Sequence, residues 1–327
     1  MSQVKPDVLV AGGGGFIGGH LAGDLLRQGV RVRAVDSKPL SEWDQVHPEA
    51  ENVIGDLSSL PTARTAVSGV GQVYNLAADM GGIGFIESNR TVCMLSVLTS
   101  THVLLASRDE GVERYFYASS ACVYAAEKQS RSDVAALRES DAYPADPEDG
   151  YGWEKLFSER ICRHFAEDFG IGTRVARYHN IYGSHGTWDG GREKAPAAIC
   201  RKVATAAIIG DHEIEIWGDG KQTRSFTYID DCVYGTQLIM AGESADPVNL
   251  GSSELVSINR LVDLVEEIAG IRTERTYLPA APQGVRGRNS DNTAILATYD
   301  WQPSTPLIDG LERTYRWVYD QVKSRIE

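Results

Sequence analysis

Val8-Leu9-Val10-Ala11-Gly12-Gly13-Gly14-Gly15-Phe16-Ile17-Gly18 is the stretch on which the fold turns. A short β-branched run, Val8–Val10, meets a glycine cluster, and an amphipathic segment, Phe16–Arg27, follows at once. That order reads as strand, tight turn, helix. Gly12, Gly15 and Gly18 fall in a G-x-x-G-x-x-G pattern. Missing side chains there let the backbone approach a bound group and bring a helix N-terminus to bear on an anion such as a pyrophosphate.

Outward from this turn the same alternation continues. Arg31–Val35, Asn52–Ile54, Gln72–Leu76, Arg114–Tyr117 and Thr173–Arg177 predict five further strands. The apolar pattern Leu95, Leu98, His102, Leu105 and the segment Lys155–Phe169 predict crossover helices closed by Gly111 and Gly170. Together these predict an α/β fold, a Rossmann-type doubly wound parallel sheet. Beyond Asn180 the regularity breaks. Tyr182–Arg192, with four glycines, reads as a loop, Lys194–Ala206, Thr227–Met240, Ser257–Ala269 and Leu307–Lys323 as helices, and Glu213–Trp217 as a short strand. The expected division is a dinucleotide-binding domain, 1–180 plus about 225–250, and a smaller mixed α/β C-terminal substrate domain, 181–224 and 251–327.

Composition narrows the partners. In 327 residues, 45 Asp and Glu against 32 Lys and Arg leave a net charge of −13, which repels a polyanionic backbone, so nucleic acid is not an expected partner. The five cysteines are scattered with no C-x-x-C pair, which predicts a reduced, cytoplasmic setting and no metal. No uninterrupted apolar run approaches the roughly 18 residues of a membrane span, and Met1 to Asp7 lacks a signal-peptide core, so no membrane partner is expected.

The second strand ends at Asp36, placed to accept hydrogen bonds from a ribose 2′-hydroxyl and to repel a 2′-phosphate, which favours NAD over NADP. Phe16 and Ile17 accompany the glycine turn, Asp56 and Leu57 follow the third strand where an adenine would lie, and the small residues Ala77 and Ala78 follow the fourth. Tyr151 and Lys155, four apart in Y-G-W-E-K, share one helix face. A lysine ammonium beside a phenol favours the phenolate, which can take a proton from a substrate hydroxyl as hydride leaves for NAD⁺. Ser119-Ser120 ends the preceding strand.

Glycine turn, serine and Tyr-x-x-x-Lys in this order resemble the extended short-chain dehydrogenase/reductase superfamily, and the resemblance covers nearly the whole chain. It implies tightly held NAD and a nucleotide sugar in the C-terminal domain, with Arg224–Asp231 similar to the family's return from that domain. Where the superfamily's 4,6-dehydratases place a glutamate base, this chain has Cys122, so dehydration is disfavoured. A thiolate there suits carbon-acid chemistry beside a C4 ketone, and Lys194, after a glycine loop, is the candidate proton donor on the opposite face.

Ala77–Phe85, Ser119–Tyr124, His179–Gly183, Gly190–Ala198, Trp217–Phe226 and Val285–Asn292 resemble the 3,5-epimerases of GDP-hexoses. The resemblance implies Cys122 and Lys194 as acid/base pair, Tyr151 with Lys155 for hydride transfer, and Ser120 at the O4 group. It further implies Gly81, Ala121, Asn180, Glu193, Ala195, Lys202 and Gln222 as substrate contacts, with Arg224, Arg286 and Arg288 facing the diphosphate of a GDP-sugar. The implied reaction converts GDP-D-mannose to GDP-L-galactose, or to GDP-L-gulose where only C5 inverts. A homodimer through Met94–Ser107 and Tyr151–Phe169 is also implied. The alternatives are a related GDP-sugar 4-epimerase or reductase in which Cys122 is a spacer, and a non-catalytic NAD-sensing module.

Overall fold

The computed structural model describes residues 6–327. Seven parallel strands form the main sheet in the spatial order Val248–Leu250, Gly172–Tyr178, Arg114–Ser120, Gln72–Asn75, Val8–Ala11, Val32–Asp36, Glu51–Ile54. The interior strand Val8–Ala11 is buried on both faces, as a parallel strand between helical layers must be. Its alternation sends Val8 and Val10 into one core with Leu21 and Leu25, and Leu9 and Ala11 into the other with Val67 and Val103. Strand order reverses between Val8–Ala11 and Gln72–Asn75, and a crevice opens beyond the carboxyl ends of these strands.

The sequence predicts six strands, and the structure adds a seventh. Val248–Leu250 completes the sheet beside Gly172–Tyr178, and the helix before it, Ile229–Ala241, packs on Phe16–Arg27. Two boundaries move in ways that matter for the site. The helix predicted from Lys155 begins at Asp149, which places Tyr151 inside its first turn. The helix predicted from Thr227 begins at Ile229, because Thr227–Tyr228 pairs as a strand with Ile181–Tyr182. Helix Arg90–Asp109 has the length and mean hydropathy of a membrane span, and it lies against helices Leu60–Val67 and Asp149–Phe169 on one face of the sheet.

The remaining chain caps the crevice. Helices Ala195–Ile209, Ile258–Ala269 and Leu307–Ile326 pack on one another and share a core with one face of the main sheet. Ile258, Leu261, Val262 and Val265 supply the buried stripe of the second helix, with the Ser257 hydroxyl accepting the Arg260 amide at its start and Gly270 ending it in the left-handed region. Glu213–Trp217 pairs with Glu274–Leu278, and Thr223–Ser225 lies between Leu255–Ser257 and Gly287–Arg288.

Candidate active site

A single cleft of about 1300 Å³ runs from the glycine turn past Tyr151 to Lys194 and Arg288. At its dinucleotide end, Gly12 has φ +82°, a left-handed conformation that favours glycine, and a Cβ there would sit 2.9 Å from the Ala77 amide nitrogen. A Cβ on Gly18 would stand 2.1 Å from the Gly12 carbonyl oxygen, so the third glycine is required for helix to meet turn. Helix Phe16–Arg27 begins at Gly15 with no side-chain cap and no acidic residue in its first turn. Its first amides are left to an anion from the cleft, which is the fit expected for a pyrophosphate.

Asp36 lines the cleft, as do Phe16, Ile17, Asp56, Leu57, Ala77 and Ala78. Asp36 is joined there by Glu42 and Asp44, two carboxylates that sequence reasoning missed. Trp43 carries them in: its ring fills the space above Gly14, its indole N–H donates to the Lys38 carbonyl at 2.9 Å, and the Asp44 amide donates to the Gly14 carbonyl at 3.0 Å. Burial raises the Asp44 carboxyl, Lys38 lowers it, and Asp36 adds to the rise. This acidic group suits a ribose with a free 2′-hydroxyl and repels a 2′-phosphate.

Further along, strand Arg114–Ser120 delivers two serines to different duties. The Ser119 hydroxyl donates to Glu159 at 2.5 Å, beside the buried Arg177–Glu159 pair at 2.7 Å, and so belongs to the scaffold. Ser120 lines the cleft, and its hydroxyl accepts the Cys122 amide at 3.2 Å. Tyr151 and Lys155 are both buried in the cleft wall, with the Lys155 ammonium 5.5 Å from the centre of the Tyr151 ring and 4.9 Å from that of Tyr117. The lysine also meets Glu154 at 3.5 Å. Glu154 is itself buried, and its other oxygen accepts from Tyr117, Ser100 and Ser158 at 3.0, 3.2 and 2.9 Å. The lowered Tyr151 phenol expected from the sequence is not the state of the protein alone. Burial pushes it well above the ordinary range, only partly opposed by the Ser120 hydroxyl, and the lysine charge is shared with Glu154.

The other end of the cleft is built from several separate segments. Cys122 sits in a helical turn docked on the start of helix Asp149–Phe169: the Glu148 amide donates to the Cys122 carbonyl at 3.1 Å. A Cβ on Gly152 would fall 2.3 Å from that same oxygen. Lys194 caps helix Ala195–Ile209 after Gly190 and Gly191, both in the left-handed region, and enclosure in the cleft wall lowers its ammonium below the usual lysine range. Gly81, Ala121, Asn180, Glu193, Ala195 and Lys202 also line the cleft. Gln222 does too, its amide donating to the Trp217 carbonyl at 2.9 Å while its own side-chain oxygen is buried without a partner. Arg224 is held by the carbonyls of Thr223, Gln283 and Val285, and burial with the nearby Arg288 brings it down to about 10.

Of the remaining expected diphosphate contacts, one lies outside the cleft and the other lines it from a buried position. Arg286 does not line the cleft; just before strand Gly287–Arg288 it forms a two-point ion pair with Asp219 at 2.8 and 2.9 Å. Arg288 is buried and turned toward Cys122, with Nη1 at 3.5 Å from the sulfur, Nη2 at 2.5 Å from Glu148 and Nε at 2.5 Å from Gln129. Side chains alternate along Gly287–Arg288 and its flanks, so 286 and 288 share a face only if the strand runs straight through, and here the strand begins at Gly287. Glu148 is the extended residue that precedes helix Asp149–Phe169, so no helical spacing ties it to Tyr151 and its place beside Arg288 is set by tertiary packing.

Residues 8–251 match the NAD dependent epimerase/dehydratase family. The chain is 46% identical to GDP-mannose 3,5-epimerase 1 of Oryza sativa subsp. japonica, over 98% of this chain and 83% of that protein. It is 44% identical to GDP-mannose 3,5-epimerase of Arabidopsis thaliana, over 97% and 83% respectively. Among solved structures, MoeE5 in complex with UDP-glucose and NAD superposes with a TM-score of 0.80 at 28% identity, over 97% of this chain and 99% of that one. With the reversal point of the sheet, the uncapped helix above the glycine turn and the Tyr151–Lys155 pair in one cleft, these matches make the chain a member of the NAD dependent epimerase/dehydratase family.

Proposed function

We propose that this enzyme inverts C5 and then C3 of a GDP-hexose, with GDP-mannose as substrate. The observation that carries the reading is that Cys122 and Lys194 line the same cleft as Tyr151, from different elements. Gly12, Gly15, Gly18 and Asp36 would hold NAD, with Asp56 and Leu57 toward its adenine, the small Ala77 and Ala78 leaving it space, and Tyr151 and Lys155 completing the site. Bound there, NAD would supply reversible hydride chemistry at C4.

The chain's own groups do the rest. Tyr151 takes the proton of the C4 hydroxyl, assisted by the Lys155 ammonium, and Ser120 holds the same oxygen. Once C4 is a ketone its neighbouring C–H bonds are acidic, and Cys122 and Lys194 remove a proton on one face and return one on the other. The lowered Lys194 ammonium is poised to give up its proton. Arg224 contributes the positive charge for the diphosphate. Residues 1–180 with about 225–250 serve the cofactor, and 181–224 with 251–327 serve the sugar nucleotide.

Pairing of two copies is part of the same proposal. Met94, Leu95 and Leu98 on helix Arg90–Asp109, and Trp153 and Phe157 on the helix packed beside it, are exposed large apolar side chains, Leu95 and Leu98 also lining the cleft. A second copy covering this patch makes a four-helix homodimer. Light scattering that gives one copy's mass would refute the pairing.

The reaction is tested by incubating the protein with GDP-mannose in D₂O and reading the products by NMR. Deuterium at C5 and C3 is expected, and Cys122→Ser should lose it while retaining NAD. Inversion at C4 with no solvent deuterium would point instead to a simple 4-epimerase.

A further inference from the structure

We propose that Glu148 is a positioning residue that holds Arg288 against Cys122 and offsets its charge, so that the cysteine can both take and give a proton; this rests on the acid/base role assigned to Cys122 above. Arg288 is one-twentieth exposed, and its guanidinium has three fixed partners: Gln129, Glu148 and the Cys122 sulfur. Glu148 binds the same loop a second time through its backbone, whose N–H donates to the Cys122 carbonyl.

The groups facing Cys122 come from four elements. Glu148 and Tyr151 come from the start of helix Asp149–Phe169, Arg288 and Arg224 from two neighbouring strands, and Lys194 from the N-terminus of helix Ala195–Ile209. Three of these are cations and one is a carboxylate. Burial works against the charged form of Glu148, but the adjacent Arg288 holds its carboxyl below the usual range, so Glu148 is an anion.

The chemical consequence follows from balance. A cation held against a sulfur favours its charged form, and a strongly stabilised thiolate is a weak base that does not return its proton easily. With Glu148 ionised, the Arg288 charge is neutralised locally, and a proton can move between the sulfur and the sugar carbon in either direction. No oxidant or further reactant is needed: the thiolate takes H⁺ from carbon to form S–H and an enediolate, and the reverse restores both.

The test is Glu148→Gln in the NAD-loaded protein, a change that keeps shape and the hydrogen bond to Arg288 but removes the charge. Cys122 alkylation by iodoacetamide at pH 7 is followed by peptide mass spectrometry. The other four cysteines are buried, and the thiolate band near 240 nm is an independent signal. Removing a unit charge at this range is expected to raise the alkylation rate about tenfold and to strengthen the band, while solvent exchange at C5 and C3 slows by about tenfold or more. A purely structural Glu148 would not raise reactivity. An alkylation rate within about twofold of the unmodified protein overturns the proposal. Should E148Q fail to retain NAD, R288Q carries the test: it leaves Glu148 facing the sulfur unneutralised and must slow alkylation, and an unchanged rate overturns the proposal equally. Because alkylation needs no sugar, the two failures are distinguishable: unmodified protein that exchanges no deuterium sinks the reaction reading and the proton-balancing role with it, whereas exchange in unmodified protein with unchanged alkylation in E148Q sinks this proposal alone.

Discussion

Replacing Gly18 and Gly15 one at a time by alanine separates what the glycine turn does for the fold from what it does for the cofactor. At Gly18 the new methyl carbon would lie 2.1 Å from the Gly12 oxygen, 2.8 Å from the Gly12 carbonyl carbon and 3.0 Å from the Gly13 Cα. All three are backbone atoms, so nothing can swing aside, and helix Phe16–Arg27 must retreat by roughly 1.2 Å to restore ordinary contact. Overpacking of this kind costs about 3 kcal/mol, which for a chain of this length lowers Tm by about 4 °C. The same retreat pulls the first helical amides from the anion, and losing two charge-assisted hydrogen bonds at about 1.5–3 kcal/mol each weakens NAD binding by about a hundredfold or more. At Gly15 the methyl meets only the Gly12 oxygen, at 3.3 Å, and enters the cleft. Gly15→Ala should therefore lose NAD while its apo form melts within about 1 °C of unmodified apo protein. NAD is measured as nucleotide released on denaturation, and Tm is compared between apo proteins because bound NAD itself stabilises. Equal melting of apo Gly18→Ala and unmodified apo protein, or an equal drop for both variants, would refute the reasoning.

Three further outcomes follow from the same coordinates. Asp36→Asn combined with Asp44→Asn should reduce the preference for NAD over NADP by about one to two orders of magnitude, since two carboxylates no longer face a 2′-phosphate; fluorescence titration of both nucleotides checks it. Glu154→Gln, which removes the buried carboxylate 3.5 Å from the Lys155 ammonium, leaves that charge to Tyr151 and takes away an anion that raises its phenol, so the rise of kcat with pH should move to lower pH and kcat at neutral pH should increase by about tenfold with little change in KM. Transient NADH absorbance at 340 nm, followed across pH, places that gain in hydride transfer. His179 is fully buried and lowered to about 3 by burial, with one ring nitrogen on Asn249 and the other without a partner. The unfolded chain protonates this imidazole near pH 6.5 and the folded chain does not, so stability falls as pH drops through 6.5, by about 2 kcal/mol between pH 7 and pH 5. Urea midpoints at the two pH values should lose that part of the slope in His179→Gln.

How much of this was legible in the sequence depended on whether a segment carries its own period. Val8–Ala11 and its glycines announce strand, turn and helix because continuous burial and missing side chains leave a local trace. Val248–Leu250 has three residues and no period of its own; it becomes a strand only because Gly172–Tyr178, some seventy positions earlier, offers an open edge. Tyr151 and Lys155 were readable from a helical spacing. The partners of Lys155 and Cys122 were not, since Glu154 and Glu148 look like ordinary surface acids until tertiary packing buries the first and half-buries the second. The Arg288 side chain shows the same limit. Its charge suggested a phosphate contact, whereas its direction is set by Glu148 and Gln129, 140 and 159 positions away.

The two groups proposed above to move protons, Cys122 and Lys194, are placed by glycine approaches that no side chain could make. Gly152 lets the Cys122 turn sit on the helix that carries Tyr151, so the sulfur and the phenol belong to one rigid frame. Lys194 belongs to a different part of the chain, yet it is tied to that frame through Gly82. The Gly82 amide donates to the Arg192 carbonyl at 2.9 Å, and a Cβ there would fall 2.5 Å from the Glu193 carbonyl oxygen, one residue before Lys194. The Arg192 guanidinium then lies 3.8 Å from the centre of the Phe85 ring, closing the same junction from outside. A ketone must meet its base and its acid from opposite sides, so an error of about 1 Å between the two costs rate steeply. Fixing Lys194 through backbone contacts at Gly82, rather than through a salt bridge to its own ammonium, holds the lysine in place while leaving its proton free to move.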